Sequence, residues 1–334
     1  MTELLVEPAL PSLQKQGIFV DRVTKTYRGG KVKALHNLSL EVRPGEAFGL
    51  VGPNGAGKTT FLSCLMGFLK IDSGQILIDG EAPDALSTRR LVGYLPERLT
   101  FDRWMSGRDY LNFHHELAGM PAGTRLADCE KLLTRVELDP SAWLKPVRKY
   151  SRGMLQRLGF AQALIGNPRY LLLDEPASGM DPVGVMVVRD LLRQLKEQGM
   201  TILLNSHQLD QIEKTCDRVA FLKDGAVIKI EDLRAVTVGE QYHTIRWLSE
   251  GGQDLTRENL TKIVKSMDLS LLEFEEGQAQ IVTNGGASTA SLIKALVLGG
   301  FPIIEVRPEE TRLERLFKKE VPNNLGQPGH SNQV

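Results

Sequence analysis

Gly52-Pro53-Asn54-Gly55-Ala56-Gly57-Lys58-Thr59 decides how this chain is read, because it is a complete phosphate-binding loop of the form G-x-x-x-x-G-K-[ST]. Its glycines let the backbone curl tightly enough to aim successive N–H groups, from Asn54 to Thr60, at a di- or triphosphate. Lys58 reaches the β- and γ-phosphates, and the Thr59 hydroxyl is placed to ligate Mg²⁺. The flanks agree with the loop. Glu46-Ala47-Phe48-Gly49-Leu50-Val51 reads as a buried strand, and Thr60-Phe61-Leu62-Ser63-Cys64-Leu65-Met66 as a helix whose positive end faces the anion. A nucleoside triphosphate is the expected ligand.

The chain has 334 residues, too many for one typical α/β domain, so two are expected. Apolar residues make up 42% and charged residues 25%, as in soluble globular proteins. Lys plus Arg equals Asp plus Glu at 41 each, so no global field favours nucleic acid or an anionic membrane, and no nucleic-acid partner is expected. Cys64, Cys129 and Cys216 form neither a C-x-x-C spacing nor a disulfide framework, which points to a reducing cytosol. No stretch approaches the ~18 apolar residues of a spanning helix. The first residues carry acids where a signal peptide needs bases, so the protein is expected to be neither secreted nor embedded.

Outward from the loop, residues 18–20, 38–42, 75–80 and 91–95 read as strands bounded by turn residues. Residues 106–166 have mostly helical period. Residues 170–174 and 201–205 are continuous apolar runs, as in parallel strands buried on both faces, with a helix over 185–197 between them. Asp224-Gly225, between residues 219–222 and 226–230, signals a hairpin. Beyond Arg234 the pattern restarts as βαββαβ, with strands near 242–248, 271–275, 279–283 and 303–307 and helices near 259–267 and 288–298. That order is the split-βαβ arrangement of ferredoxin-like domains. A final helix is expected over 311–319, and a disordered tail over 321–334, rich in Pro, Gly, Asn and Gln.

Two more segments narrow the function. Leu171-Leu172-Leu173-Asp174-Glu175 ends an apolar strand with two carboxylates: Asp174 can hold Mg²⁺ and Glu175 can orient the attacking water. Between this and the phosphate loop lies Tyr150-Ser151-Arg152-Gly153-Met154-Leu155-Gln156-Arg157. Here the chain resembles the ATPase domain of ATP-binding cassette (ABC) transporters, whose signature L-S-G-G-Q opens a helix. Ser151 and Gly153 match it. Tyr150, Arg152 and Met154 depart from it, at the Leu, first Gly and Gln positions.

The resemblance covers residues 18–234 and implies an α/β P-loop NTPase core with an antiparallel β subdomain and a helical insertion. It also implies roles residue by residue. Tyr27 matches the aromatic that stacks on adenine, Asp181 the aspartate loop running between two nucleotide sites, and His207 the switch histidine beside the γ-phosphate. Glu97 stands where the family has a glutamine that senses Mg²⁺ and the transport partner. Tyr94-Leu95-Pro96-Glu97 and Ser151-Arg152-Gly153-Met154 look most like the branch serving drug, antibiotic and polysaccharide exporters. That branch often carries an extra C-terminal domain ending much like Pro308 to Phe317. The implied organisation is a tail over 1–17, an ATP-binding domain over 18–234 and an accessory domain over 235–320. The implied machine is a head-to-tail homodimer with two ATPs between its subunits. It drives a separate transmembrane permease, received at a groove near Glu97, from the cytoplasmic face of the membrane. The competing class is a soluble ABC-type ATPase acting as a regulator, which normally holds two such domains in tandem; this chain has one phosphate loop.

Overall fold

The computed structural model describes residues 16–27, 29, 32–234, 240–248, 256–284 and 286–308, with Leu313, Leu316, Phe317 and Glu320 beyond them. The expected tail over 321–334 and most of the expected final helix lie outside the described residues. Two compact units divide between Glu231 and Asp232.

The first unit opens with β1 (Ile18–Tyr27), β2 (Val32–Val42) and β3 (Ala47–Val51), followed by α1 (Lys58–Leu65), β4 (Ser73–Ile78), α2 (Leu86–Leu91) and β5 (Val92–Leu95). The helical insertion holds α3 (Gly107–Leu117), α4 (Arg125–Arg135) and α5 (Arg152–Ala163). The chain then returns through β6 (Tyr170–Asp174), α6 (Pro182–Glu197), β7 (Thr201–Asn205), α7 (Leu209–Thr215), β8 (Arg218–Lys223) and β9 (Ala226–Asp232). Helices α2 and α7 were not expected: each is a short polar segment without a long apolar stripe.

The main sheet runs β5-β6-β7-β3-β8-β9, and the pairs from β5 through β8 are parallel. All five residues of β3, β6 and β7 are buried, as strands covered on both faces require. Asp224 and Gly225 take successive positive φ values of 49° and 78°, the geometry of a tight two-residue hairpin turn. Strands β2-β1-β4 form a separate antiparallel sheet. Its Val20, Leu38 and Ile78 share one core with Phe61 and Leu62 of α1 and with Phe48, Leu172 and Leu203 of the main sheet.

In the insertion, Ser106 Oγ accepts the Asp109 N–H at 3.1 Å and donates to Asp109 Oδ2 at 2.6 Å, fixing the start of α3. Tyr150, where the family signature has Leu, is explained by its surroundings. Its hydroxyl donates to the Ala142 carbonyl at 2.8 Å and fills the space that a Cβ on Gly107 would need.

The second unit contains β10 (Glu240–Trp247), α8 (Arg257–Ser266), β11 (Ser270–Glu275), β12 (Gln278–Asn284), α9 (Gly286–Leu298) and β13 (Ile303–Pro308). The sheet order β11-β12-β10-β13, antiparallel throughout, is that of the ferredoxin-like βαββαβ fold. Leu260 and Val264 of α8 and Leu292 and Leu296 of α9 cover Ile245, Trp247 and Ile281. Among all described residues, no helix is long and apolar enough to cross a membrane.

Phe301 packs edge-on to Trp247 at 5.3 Å between centroids and is 1% exposed. Truncating such a ring leaves a cavity costing about 3–5 kcal/mol. Phe301→Ala is therefore expected to lower the unfolding transition of the second unit in calorimetry, while titration with a fluorescent ATP analogue gives unchanged affinity. A parallel loss of affinity would show that the first unit depends on this core.

Candidate functional site

The phosphate loop leaves the end of β3 and enters α1 under tight backbone constraint. Gly57 precedes α1 at φ 98°, and a Cβ there would run into the Ala34 carbonyl oxygen; a Cβ on Gly52 would run into that of Leu222. The loop is stitched to the β8–β9 turn, where Gly225 N donates to Ala56 O at 3.2 Å, and Ala56 itself is buried. The first-turn amides of a helix lack intrahelical acceptors, so the start of α1 offers donors to an anion. Lys58 Nζ donates to Gly52 O at 2.7 Å and Pro53 O at 3.0 Å.

A cleft of about 660 Å³ gathers Tyr27, Asn54, Gly55, Gly57, Lys58, Thr59, Thr60, Glu97, Asp174, Glu175 and His207 from five separate stretches of chain. Asp174 ends β6, buried. Glu175 follows at φ 52°, a conformation rare for a residue with a side chain, which turns the chain off the strand. Its Oε1 accepts the His207 N–H at 2.9 Å, and its Oε2 lies 2.7 Å from His207 Nδ1. Asn205, at the end of β7, donates to Asp174 Oδ1 at 2.5 Å. Asn205 was not among the residues expected in the site. A lone polar residue closing the apolar run 201–205 was its signal.

Burial pushes the Asp174 carboxyl up from its ordinary range; the Asn205 hydrogen bond opposes this, and Glu175 and Glu97 add to it. Burial likewise pushes the Lys58 ammonium down, against the pull of Glu175 and Asp174. Three carboxylates, Glu97, Asp174 and Glu175, share the cleft with two lysines, Lys33 and Lys58, a surplus of negative charge that suits a divalent cation. Among the described residues no three His, Cys, Asp or Glu side chains converge as ligands, so the protein alone offers Mg²⁺ too few. The Thr59 hydroxyl and Asp174 carboxylate are hard oxygen donors, and a nucleotide brings further oxygens. Asn205 Oδ1 is buried without a donor and lines the same cleft, as an acceptor for the ion's water would. The residues fit Mg²⁺.

Four expected site residues do not line this cleft: Ala56, buried within the loop, and Ser151, Gly153 and Asp181. Ser151 caps α5, its hydroxyl oxygen accepting Met154 N–H at 3.3 Å; Asp181 caps α6, accepting Gly184 N–H at 2.7 Å. These two helix starts adjoin each other. The Arg152 guanidinium occupies the space over Gly179, and Gly153 faces the Met180 methyl. The Arg152–Gly179 contact had no sequence signal.

The family model described as ABC transporter matches residues 35–178. The daunorubicin resistance ATP-binding protein DrrA3 of Streptomyces coeruleorubidus is 33% identical over 308 residues, 90% of this chain and 94% of that one. This chain belongs to the ABC transporter ATP-binding family. An uncharacterized ABC transporter ATP-binding protein of Synechocystis sp. is 38% identical over 250 residues, 73% of this chain and 70% of its own. Among solved structures, a dimeric ATP-binding cassette in a post-hydrolysis state with ADP and Pi superposes with a TM-score of 0.61 at 26% identity, over 66% of this chain and 100% of that one. The protein is thus an ABC ATPase subunit that binds and hydrolyses ATP.

A carboxyl that holds its proton more tightly folded than unfolded makes the fold lose stability as pH rises past the unfolded value. Asp174→Asn removes this loss. Without nucleotide, the variant is expected to melt above wild type at about pH 7.5, the gap closing towards about pH 4, where unfolded Asp is half protonated. A lower melting temperature at the higher pH would mean that attraction to Lys58 outweighs burial.

Proposed function

We propose that this ABC ATPase powers export. Two copies close head to tail over two ATPs and act from the cytoplasmic face of the membrane on a separate permease. One observation carries the dimer reading: the nucleotide cleft is assembled within one chain, whereas Ser151, Gly153 and Asp181 stand at helix starts outside it. Those starts carry positive dipole ends and free amides suited to a phosphate held by another copy. The family's dimeric cassette supports the same arrangement, and the daunorubicin resistance relative supports export.

Within each site, the phosphate-loop amides and Lys58 bind the β- and γ-phosphates and Tyr27 stacks on the base. Thr59 and Asp174 would hold Mg²⁺, which would neutralise phosphate charge, and Glu97 would contact the ion directly or through water. Glu175 takes a proton from the attacking water as the bond from the γ-phosphorus to the bridging oxygen breaks and ADP departs. His207, hydrogen-bonded to Glu175, holds that carboxylate in place and reaches the γ-phosphate. Contacts from Ser151 and Gly153 to the facing γ-phosphate exist only before hydrolysis, so turnover opens the dimer. The permease is received in the groove of about 770 Å³ whose lining includes Tyr94, Pro96, Arg98, Phe101, Phe113 and His114. Residues 18–234 form the ATP-binding domain and 235–320 an accessory, regulatory one.

Glu175→Gln is expected to keep ATP binding, lose nearly all turnover and trap an ATP-bound dimer on size-exclusion chromatography, because an amide cannot take the proton. Lys58→Ala weakens binding to the monomer, whereas Ser151→Ala spares it and reduces dimerisation. Equal loss of monomer affinity in both would refute the trans arrangement.

Glu97→Gln exchanges a strong metal ligand for a weak one. A higher Mg²⁺ concentration for half-maximal ATPase activity is expected, and superimposable magnesium titrations would leave Glu97 to the permease alone.

A further inference from the structure

The chain as a whole is neutral, but one face of its helical insertion is not. Backbone hydrogen bonds from Arg148 N to Arg103 O at 3.0 Å and from Val147 N to Met105 O at 2.9 Å join two loops, one before α3 and one before α5. Their outer surface carries Arg103, Trp104, Leu144, Lys145, Arg148 and Lys149, all exposed. Trp104 is 74% exposed and Leu144 63%, high values for large apolar side chains. The Arg148 guanidinium lies over the Trp104 ring at 4.4 Å. Among the described residues none of the four cations stands within ion-pair distance of a carboxylate, although the insertion's Arg108 and Arg125 both do. Two acids of the same loops hydrogen-bond to backbone instead: Asp102 accepts Trp104 N–H at 3.0 Å, and Asp139, close enough to feel Lys145, accepts Ser141 N–H at 2.7 Å.

These six residues line neither the nucleotide cleft nor the groove along Tyr94 to Phe113. They form an open surface rather than the concave pocket a small ligand fills. Unpaired cations around an exposed indole and an exposed leucine combine the two preferences of a membrane interface. The amphipathic ring settles at headgroup level, and Lys and Arg are drawn to an anionic leaflet. We propose that this face rests on the anionic headgroups of a lipid bilayer, with Trp104 inserted at headgroup depth and Arg103, Lys145, Arg148 and Lys149 around it. The contact is independent of the permease reading, since it needs lipid alone.

The test uses the purified full chain and vesicles of equal parts phosphatidylcholine and phosphatidylglycerol, with phosphatidylcholine vesicles as the neutral control. Expected are cosedimentation with the anionic vesicles only, loss of binding at high salt, and a blue shift of tryptophan emission that Trp104→Phe removes. Each cation contributes roughly a fivefold factor, so Arg148→Gln with Lys149→Gln lowers partition about 25-fold while basal ATPase activity is unchanged. Absence of binding, equal binding to neutral vesicles, or full binding by the double variant would overturn the proposal; the first would assign the face to an acidic protein surface.

Discussion

Two carbonyl oxygens, those of Ala34 and Leu222, stand where side chains on Gly57 and Gly52 would begin, and the nucleotide site depends on that crowding. A loop that only curled could take many shapes. This one is confined between β2 and β8, and the β8–β9 turn also bonds to it through Gly225. The loop's amides are therefore positioned by the sheet, through backbone contacts that no side-chain replacement within the loop can supply. The shared core of both sheets and α1 sets the same parts from the other side, so loop and helix start move together or not at all.

The carboxylates depend on the same sheet in a different way. β6 and β7 are neighbours in register, with Asp174 opposite Asn205, so strand pairing itself delivers the Asn205 amide to the Asp174 oxygen. One residue later, the positive φ of Glu175 breaks the strand's alternation. Left-handed backbone at a glutamate is costly unless its surroundings hold it, and here the Glu175 N–H donates to Asn205 O while His207 takes both carboxylate oxygens. Two adjacent acids thereby acquire different environments: one buried and hard to ionise, the other held at the cleft wall.

Much of this was legible in the sequence because the signals were local. The phosphate loop, the buried runs at 47–51, 170–174 and 201–205, and the Asp224-Gly225 turn each follow from short-range rules of burial and φ. The βαββαβ order of the second unit was readable from alternation and turn residues, and its sheet order followed. What escaped were contacts between distant segments. Asn205 reads as a strand residue until β6 lies beside it. Arg152 reads as a helix-start residue until Gly179 is seen beneath its guanidinium. The cations around Trp104 come from loops some forty residues apart, so neither net charge nor any short window reveals them.

Lys58 already makes two hydrogen bonds to carbonyls of its own loop. An ammonium has three N–H donors, so a phosphate bound there would find one uncommitted and would have to displace Gly52 O or Pro53 O only to gain a second. That second contact would trade a neutral carbonyl for a charged acceptor, a smaller gain than a new bond gives, and the same carbonyl would receive the lysine when the nucleotide left. The loop thus carries within itself a ready substitute for part of a phosphate's hold on Lys58. An ATPase that must discharge ADP every cycle would gain some of its reversibility there, from the residue that grips as well as releases.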